Sequence, residues 1–171
     1  SFGQGCEGEP LTEAPLIAEA VAEYRREGGR GTVNVNTNGS LPDAVAALAD
    51  AGISSIRVSL NSVRPPVYDA YYRPVDYSFD DVLRSIVEAK KRNRFVSLNL
   101  LFFPGVTDTE EELTALTELV QETDVDFIQL RNLNMDPERY LQILQDTPAL
   151  GPSMGLNNFR RRLRRSCPGL A

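Results

Sequence analysis

The stretch Thr32–Leu60, TVNVNTNGSLPDAVAALADAGISSIRVSL, decides the fold class of this chain. Its opening segment, Thr32–Thr37, alternates polar and apolar side chains and predicts a strand, which the turn residues Asn38-Gly39 end. A helix is predicted over Leu41–Ala51 and a second strand over Ser55–Leu60. A strand, a helix and a strand in this order form a unit whose two strands lie parallel in one sheet.

The same alternation continues on both sides of this stretch. Further helices are predicted over Glu13–Glu27, Ser78–Arg92 and Thr107–Glu122, and further strands over Phe95–Phe103 and Val125–Leu130. These make four clear strands, and a fifth is suggested at the extreme N-terminus. Because a closed eight-stranded barrel needs about 250 residues, we expect an α/β fold: a partial (β/α) barrel of parallel strands, with a small doubly wound sheet as the alternative.

After residue 135 the pattern changes, because the remaining helices do not return to a strand. They are predicted over Asp136–Gln145 and Asn157–Arg165, and the second carries five arginines around Phe159 and Leu163. We therefore divide the chain into a core, residues 1–135, and a C-terminal helical extension, residues 136–171, packed on that core. The arginine-rich helix is interpreted as a solvated helix with two apolar anchors; a phosphate, nucleic-acid or acidic-partner contact is the alternative.

Two local patterns refine this outline. The helix over Thr107–Glu122 begins with overlapping capping-box patterns, which pair Asp108 with Glu111 and Thr109 with Glu112. The aromatic segment Tyr68–Arg73 is interpreted as part of a long loop packed on the sheet, although it could instead face substrate.

Composition excludes several kinds of function. The chain has no histidine, which removes Ser-His-Asp catalysis, Cys-His catalysis and His-ligated metal sites from this sequence. Two cysteines are too few for a disulfide scaffold, a four-cysteine zinc site or a three-cysteine iron–sulfur motif, so we predict no metal ligands. The formal net charge of −6 argues against generic nucleic-acid binding. Without a signal peptide or a run of about 20 apolar residues, the chain is expected to be cytoplasmic and not in a membrane.

Each predicted strand ends in polar, small or glycine residues. These ends are Glu7-Gly8-Glu9-Pro10, Thr37-Asn38-Gly39, Ser59-Leu60-Asn61-Ser62, Pro104–Asp108 and Arg131–Asn134. Because the carboxyl ends of parallel strands share one edge of a sheet, where ligands bind, we expect the functional site at this edge.

The ordered series of strand ends resembles the core of the radical S-adenosylmethionine (radical SAM) enzymes over roughly residues 5–133. In that family the second strand ends in a Gly-Gly-Glu-Pro-like motif, and the sequence here is Cys6-Glu7-Gly8-Glu9-Pro10-Leu11. Thr37-Asn38-Gly39 is similar to the end of the family's third strand, and Val58–Ser62 resembles the Ser-Leu-Asp segment near the SAM ribose. Two positions depart from the family, because Glu7 stands where glycine is usual and Asn61 where aspartate is usual.

The resemblance implies a SAM site at the carboxyl ends of the strands. Glu9 would accept a hydrogen bond from the SAM ammonium beside the backbone carbonyl of Gly8, and Ser59 and Asn61 would suit the ribose hydroxyls or the carboxylate. Asparagines would line the same opening, and residues near the last strand would bound the adenine. The implied cofactor-binding residues are Gly8, Glu9, Asn38, Ser59, Asn61, Asn99, Gln129 and Arg131, with Asn36, Phe102 and Phe103 as further candidates.

The resemblance also implies a [4Fe-4S] cluster, which the family holds with three cysteines in a C-x3-C-x2-C loop after its first strand. Cys6 and Cys167 cannot supply that loop by spacing, so we interpret the chain as an N-terminally truncated radical SAM domain that lacks its first βα unit. The parent enzyme, with the cluster held by the missing segment, would generate a 5'-deoxyadenosyl radical and abstract hydrogen from a small-molecule or peptide substrate. This fragment alone is expected to be inactive, with neither cofactor site complete. Its open sheet edge favours homodimer formation.

The site residues also have simpler structural interpretations. Glu9 could cap the helix that follows it, Thr37–Gly39 could be a plain turn, and Ser59 and Asn61 could be ordinary strand-end residues. For the whole chain, the alternative is a non-catalytic α/β module that binds a nucleotide or a partner protein. Neither G-x-G-x-x-G nor G-x4-G-K-[ST] is present to support a phosphate site of that kind.

Overall fold

In the computed structural model, which describes residues 1–3 and 8–170, helices alternate with the strands of a parallel sheet. The strands are β1 Asn34–Thr37, β2 Ser55–Leu60, β3 Phe95–Phe102 and β4 Phe127–Asn132, in the sheet order β1-β2-β3-β4. A short 3-10 helix, Pro10–Glu13, precedes the helices α1 Ala14–Arg26, α2 Pro42–Ala51, α3 Pro65–Tyr72, α4 Phe79–Lys91, α5 Glu110–Thr123, α6 Pro137–Leu144 and α7 Leu156–Ser166. The predicted α/β fold with parallel strands is confirmed.

The N-terminal strand that the sequence suggested is not formed by the residues that the structure describes. Phe2 makes a single parallel bridge to Val35 on β1. The motif residues Cys6 and Glu7 lie outside the described residues.

Helix α3 corrects the prediction of a long loop after β2. It begins with Pro65 and Pro66 and is followed by Arg73, whose φ of +48° is left-handed. Proline suits the first helical turn, because its missing N–H would have no intrahelical partner there. Val67 and Tyr68 are fully buried on this helix. The pair Pro65-Pro66 was the local signal for this helix start.

The chain consists of two compact units. Unit 1 comprises Ser1–Ser59 and Tyr77–Leu98, and unit 2 comprises Leu60–Asp76 and Asn99–Ala171. The division into a core up to residue 135 and a helical extension after it stays a prediction. No helix within residues 1–3 and 8–170 combines the length and apolarity that crossing a membrane requires.

In unit 1, helix α2 packs against both α1 and α4. One face of β1 and β2 is buried and mostly apolar, with Val35, Ile56 and Val58 fully covered. A close approach at the end of β1 requires glycine at position 39, because a Cβ there would lie 3.2 Å from Val82 Cγ1 and 3.4 Å from Val58 Cγ1.

The opposite side of β1 and β2 is polar, and we call it the polar face. It consists of the alternating, half-buried residues Asn34, Asn36, Ser55, Arg57 and Ser59. Asn36 and Arg57 are partners in the parallel register and therefore lie side by side.

In unit 2, α3 packs against α6, and α5 contacts α7. The core of this unit includes a cluster of buried residues from α3, the loop before α5, α6 and the segment that follows α6. Its members are Val67, Val106, Tyr140, Leu144 and Ala149.

Candidate functional site

The carboxylate of Glu9 joins the first helical segment to the end of β1 in unit 1. Glu9 caps the 3-10 helix, because its Oε1 accepts a hydrogen bond from the Leu11 N–H at 3.1 Å. The same oxygen accepts from the Thr37 hydroxyl at 2.5 Å, and Oε2 accepts from the backbone N–H of Asn38 at 2.8 Å. Two of the predicted site residues, Glu9 and Asn38, are therefore in direct contact, and the capping interpretation of Glu9 also holds.

Glu9 retains one unused acceptor position. A carboxylate has about four lone-pair sites, two on each oxygen, and the three protein donors leave one of them on Oε2. No arginine or lysine forms an ion pair with Glu9 within the described residues. A half-buried carboxylate with an unused lone pair and no cation beside it suits an ammonium group.

The turn after β1 fixes the position of Asn38. The N–H of Gly39 donates to Thr37 Oγ1 at 3.0 Å, and Asn38 Oδ1 accepts from the Ser40 N–H at 2.8 Å. Thr37–Gly39 is therefore the turn that its sequence predicts. The side-chain amide nitrogen of Asn38 has no partner in the described part of the chain, so it can donate to a ligand.

Gly8 and Ser59 also offer polar groups in unit 1. Gly8 is exposed with φ +83°, and no heavy atom lies within 4 Å of the position that a Cβ would take, so glycine is required there by conformation and not by space. Ser59 lies on the polar face and its hydroxyl has no partner among the described residues. Asn36 is already engaged, because its Nδ2 donates to the Gly3 carbonyl at 3.2 Å.

In unit 2, Asn61 faces the protein interior. It is 1% exposed, and its Nδ2 donates to the Val67 carbonyl at 3.1 Å. Asn61 Oδ1 and the nearby hydroxyl of Tyr140 have no hydrogen-bond partner in the described residues. Burial raises the pKa of Tyr140 to about 12, and the neighbouring Asn61 amide opposes this shift. Asn61 therefore holds the segment after β2 in this structure, and its contact with SAM stays a prediction that requires it to become exposed.

The buried ion pair of Arg64 with Glu112 was missed by the sequence analysis. Glu112 Oε2 accepts from the Ser62 hydroxyl at 2.5 Å and from Arg64 Nε at 2.9 Å, and Oε1 accepts from the Val63 N–H at 2.8 Å. Glu112 itself is fully buried. Burial raises the pKa of Glu112, while the hydrogen bonds from Ser62, Val63 and Arg64 act in the opposite direction.

Arg64 extends this cluster to the segment between α6 and α7. Its two terminal nitrogens donate to the carbonyls of Pro148 and Ala149 at 2.8 and 2.9 Å. Because Arg64 and Glu112 lie 48 positions apart, no local sequence pattern announces the pair.

Asp108 does not start helix α5, which corrects the predicted capping box of Asp108 with Glu111. Its Oδ1 accepts from the Gly105 N–H at 2.6 Å, and its Oδ2 accepts from the Ser153 hydroxyl at 2.5 Å and the Gly155 N–H at 2.9 Å. Asp108 is fully buried and ties two loops of unit 2 together.

The second predicted capping box is only half formed. Thr109 is the N-cap of α5, and its hydroxyl accepts from the Glu112 N–H at 3.3 Å. The Glu112 side chain does not return to Thr109, because Ser62 and Arg64 engage it instead.

Asn99, Gln129 and Arg131 complete the predicted set, and all three belong to unit 2. Asn99 is half-buried, and its Oδ1 is a buried atom without a partner in the described residues. Gln129 lines a cavity of about 360 Å³ between β4 and α7, together with Phe127 and Phe159. Arg131 is exposed. Their roles toward the adenine stay predictions.

The described residues do not fit a [4Fe-4S] cluster. Such a cluster requires several thiolate ligands, and Cys167 is a buried thiol that donates to the Thr117 carbonyl. Burial raises the pKa of the Cys167 thiol, which disfavours the thiolate. No group of three or more His, Cys, Asp or Glu side chains in residues 1–3 and 8–170 is placed to hold a metal ion. The other cysteine, Cys6, lies outside these residues.

The parallel α/β fold places this domain in the partial (β/α) barrel class. The family model of the Radical SAM superfamily matches residues 5–117, and the chain belongs to this superfamily. The resemblance drawn from the strand-end motifs is confirmed.

Curated relatives are similar over most of this chain. The GTP 3',8-cyclase of Microcystis aeruginosa is 32% identical over 114 residues, which cover 64% of this chain and 34% of that protein. The GTP 3',8-cyclase of Alkaliphilus metalliredigens is 33% identical over 125 residues, covering 72% of this chain and 38% of that protein. Human molybdenum cofactor biosynthesis protein 1 is 32% identical over 125 residues, 71% of this chain and 19% of that protein. The chain thus spans between 19% and 38% of the length of these three relatives.

Solved structures share the fold at low sequence identity. A domain of pyruvate-formate lyase-activating enzyme from Bacteroides vulgatus has a TM-score of 0.62 at 16% identity, covering 91% of this chain and 98% of that one. A radical SAM methyltransferase from Sphaerobacter thermophilus has a TM-score of 0.65 at 19% identity, and the match covers 93% of this chain and 46% of that protein. Streptococcus suis SuiB bound to its precursor peptide SuiA has a TM-score of 0.56 at 16% identity, and the match covers 96% of this chain and 33% of that protein.

Proposed function

We propose that this chain is the SAM-binding part of a radical SAM enzyme. The Glu9 carboxylate carries the proposal, because three protein donors hold it at the end of β1 while one of its acceptor positions stays open. The ammonium of SAM would occupy that position through a charge-assisted hydrogen bond. Family membership supports this assignment, since the motif around Glu9 falls within the matched residues.

The other polar groups of unit 1 would contact the rest of SAM. The backbone carbonyl of Gly8 would accept from the same ammonium, while the Asn38 amide nitrogen and the Ser59 hydroxyl would hydrogen-bond to the ribose or the carboxylate. In unit 2, we keep Asn99, Gln129 and Arg131 as candidates for the adenine.

Bound SAM would supply the radical chemistry of the parent enzyme, with the required electron coming from the iron–sulfur cluster. The share of this chain is to bind SAM and to fix its orientation. Because the described residues do not fit an iron–sulfur cluster, we propose that the cluster ligands belong to parts of the parent protein outside this sequence. This agrees with the small share of the relatives' length that the chain covers.

The substrate of the parent protein is proposed to be a small molecule or a peptide. Both classes occur among proteins of similar structure: the radical S-adenosylmethionine methyltransferase TsrM of Kitasatospora setae binds a tryptophan substrate, and SuiB binds a precursor peptide. A cytoplasmic location and a homodimer also remain proposals. The non-catalytic module is not favoured, because the radical SAM family model matches residues 5–117.

The coding sequence around this chain offers the first test. We expect a C-x3-C-x2-C motif within about one βα unit upstream of residue 1. An upstream segment of that length without these cysteines would contradict the enzyme assignment.

Calorimetric titration of the purified chain with SAM is a weaker test, because it reaches only the part of the SAM site that this chain supplies and not the iron–sulfur cluster. The Glu9→Gln variant removes the charge and is expected to weaken SAM binding by about tenfold to a hundredfold, because a hydrogen bond to a charged group contributes about 1.5–3 kcal/mol. Glu13→Gln is the matched control, since Glu13 is exposed and its side chain caps nothing. If the two variants lost SAM affinity equally, Glu9 would not be a SAM-binding residue.

A further inference from the structure

The polar face of unit 1 is unusual for a parallel sheet. Strands in such sheets are ordinarily apolar on both sides, because helices cover both. Here one side carries only asparagine, serine and arginine, while the other side of the same strands is fully buried. A face with this composition is suited to contact a polar ligand.

Hydrogen bonds account for the polar groups at the start of this face. The Ser55 hydroxyl donates to Asn34 Oδ1 at 2.8 Å, and Asn34 Nδ2 donates to Asn36 Oδ1 at 3.0 Å. Asn36 Nδ2 in turn donates to the Gly3 carbonyl at 3.2 Å. This hydrogen-bond network engages Asn34, Asn36 and Ser55, and it does not include Arg57 or Ser59.

Arg57 is the cation of this face, and its side chain has no hydrogen-bond or ion-pair partner among residues 1–3 and 8–170. Its Nε is a buried atom without a hydrogen bond, and no carboxylate in the described residues forms an ion pair with it. Arg57 as a whole is half-buried, and a ligand that offers an acceptor to its buried Nε would remove an unfavourable unpaired donor. In register, Arg57 lies beside Asn36, whose side chain is already engaged.

We propose that Arg57 binds an anionic group of the substrate, a carboxylate or a phosphate. This rests on the proposed function, because Ser59, a candidate SAM contact, lies two positions further along the same face of β2. Positions two apart on a strand are separated by about 7 Å, so a molecule that contacts Arg57 lies next to bound SAM. The planar fork of arginine matches both anions with paired hydrogen bonds.

SAM has a carboxylate of its own, which is the other source of such an anion. We assign Arg57 to the substrate because Glu9, Asn38 and Ser59 lie at the carboxyl ends of β1 and β2, whereas Arg57 lies one side-chain layer before the end of β2. The two sources predict different responses to substitution.

NMR titration of the purified chain with inorganic pyrophosphate, and separately with malonate, tests the proposal. The Nε–Hε signal of Arg57 should shift in a saturable manner with at least one of these dianions. Arg57→Gln should weaken that binding by about tenfold or more, and Arg57→Lys should retain part of it. Arg94→Gln is the matched control, because Arg94 in unit 1 also has a buried Nε without a partner but precedes β3 at its amino end.

An Arg57 signal that does not respond to either dianion would overturn the proposal. The proposal would also fail if Arg94→Gln weakened dianion binding as much as Arg57→Gln does. The wild-type signal needs no substitution, so a variant that fails to fold does not affect this readout. SAM titration of Arg57→Gln separates the two sources. Unchanged SAM affinity supports a substrate anion, whereas a tenfold loss assigns Arg57 to the SAM carboxylate and contradicts the proposal. Failure of the wild-type chain to bind SAM would count against the proposed function and leaves the dianion result standing.

Discussion

Glu9 in unit 1 and Glu112 in unit 2 are carboxylates that each accept three hydrogen bonds from the protein. They differ in burial and in charge pairing. Glu112 is fully buried beside the guanidinium of Arg64, whereas Glu9 is half-buried and has no cation beside it among the described residues. The comparison shows that the number of hydrogen bonds does not separate a structural carboxylate from a ligand-binding one. The missing counter-charge supports the ligand-binding role that we propose for Glu9, because an external cation can supply that charge.

The largest expected effect concerns Glu112. Glu112→Ala should lower the free energy of unfolding by about 3–5 kcal/mol, because it leaves the Arg64 guanidinium buried without its partner. Chemical denaturation followed by circular dichroism measures this loss. Glu111→Ala is the control, since Glu111 is exposed on the same turn and should change stability by about 0.5 kcal/mol or less. A loss of similar size in both variants would end the structural assignment of Glu112.

A smaller loss is expected at Glu9. Glu9→Ala removes the cap of the 3-10 helix and the bonds to Thr37 and Asn38, which together should cost about 1–2 kcal/mol in the same measurement. Glu13→Ala provides the baseline. If Glu9→Ala destabilised the chain as much as Glu112→Ala, Glu9 would have to be regarded as a structural residue and the contrast between the two carboxylates would disappear.

The pH dependence of stability sharpens the comparison further. Burial raises the pKa of Glu112 above its ordinary value of 4.5, so the folded state holds this proton more tightly than the unfolded state does. The part of the stability that depends on the Glu112 proton is therefore complete below about pH 4.5 and is lost as the pH rises through the folded-state pKa, whereas the hydrogen bonds from Ser62, Val63 and Arg64 still hold the side chain. The difference in unfolding free energy between the wild type and Glu112→Gln should decline from about pH 4 upward. An increase with pH would mean that the hydrogen bonds from Ser62 and Arg64 outweigh burial.

The smallest effect is expected from Tyr140→Phe. Its buried hydroxyl has no hydrogen-bond partner among the described residues, so its removal should leave the free energy of unfolding unchanged or slightly higher. Absorbance titration gives an independent readout, because burial raises the pKa of Tyr140 to about 12 and the variant should lose a phenol that ionises there. A large loss of stability would show that the hydroxyl is bonded after all.

Elements whose signal is local were predictable from the sequence. Strand β2 was predicted with the observed bounds, and α4 within one residue at each end, because alternation in β2 and apolar spacing in α4 match their burial. Glu9 and Asn38 were predicted together because the carboxyl ends of parallel strands share one edge of the sheet. The structure adds that Glu9 bonds directly to the Asn38 backbone.

The remaining features depend on contacts between distant parts of the chain. Glu112 matched a capping pattern, yet its side chain bonds to residues 48 to 50 positions earlier. Asn61 matched a ligand motif, and its burial beside Tyr140 follows from how α6 packs within unit 2. Asp108 could bond either to its own helix or to the loop before α7, and only the fold decides between them.

The two carbonyls that Arg64 holds matter for protein engineering. Because Pro148 and Ala149 bond to Arg64 through main-chain oxygens, side-chain substitutions at these positions leave the acceptors in place. A chimera that exchanges the C-terminal segment with that of another superfamily member must instead reproduce the path of this backbone. Sequence identity at these two positions is thus a poor criterion for choosing a donor segment, and loop length and conformation are the better ones.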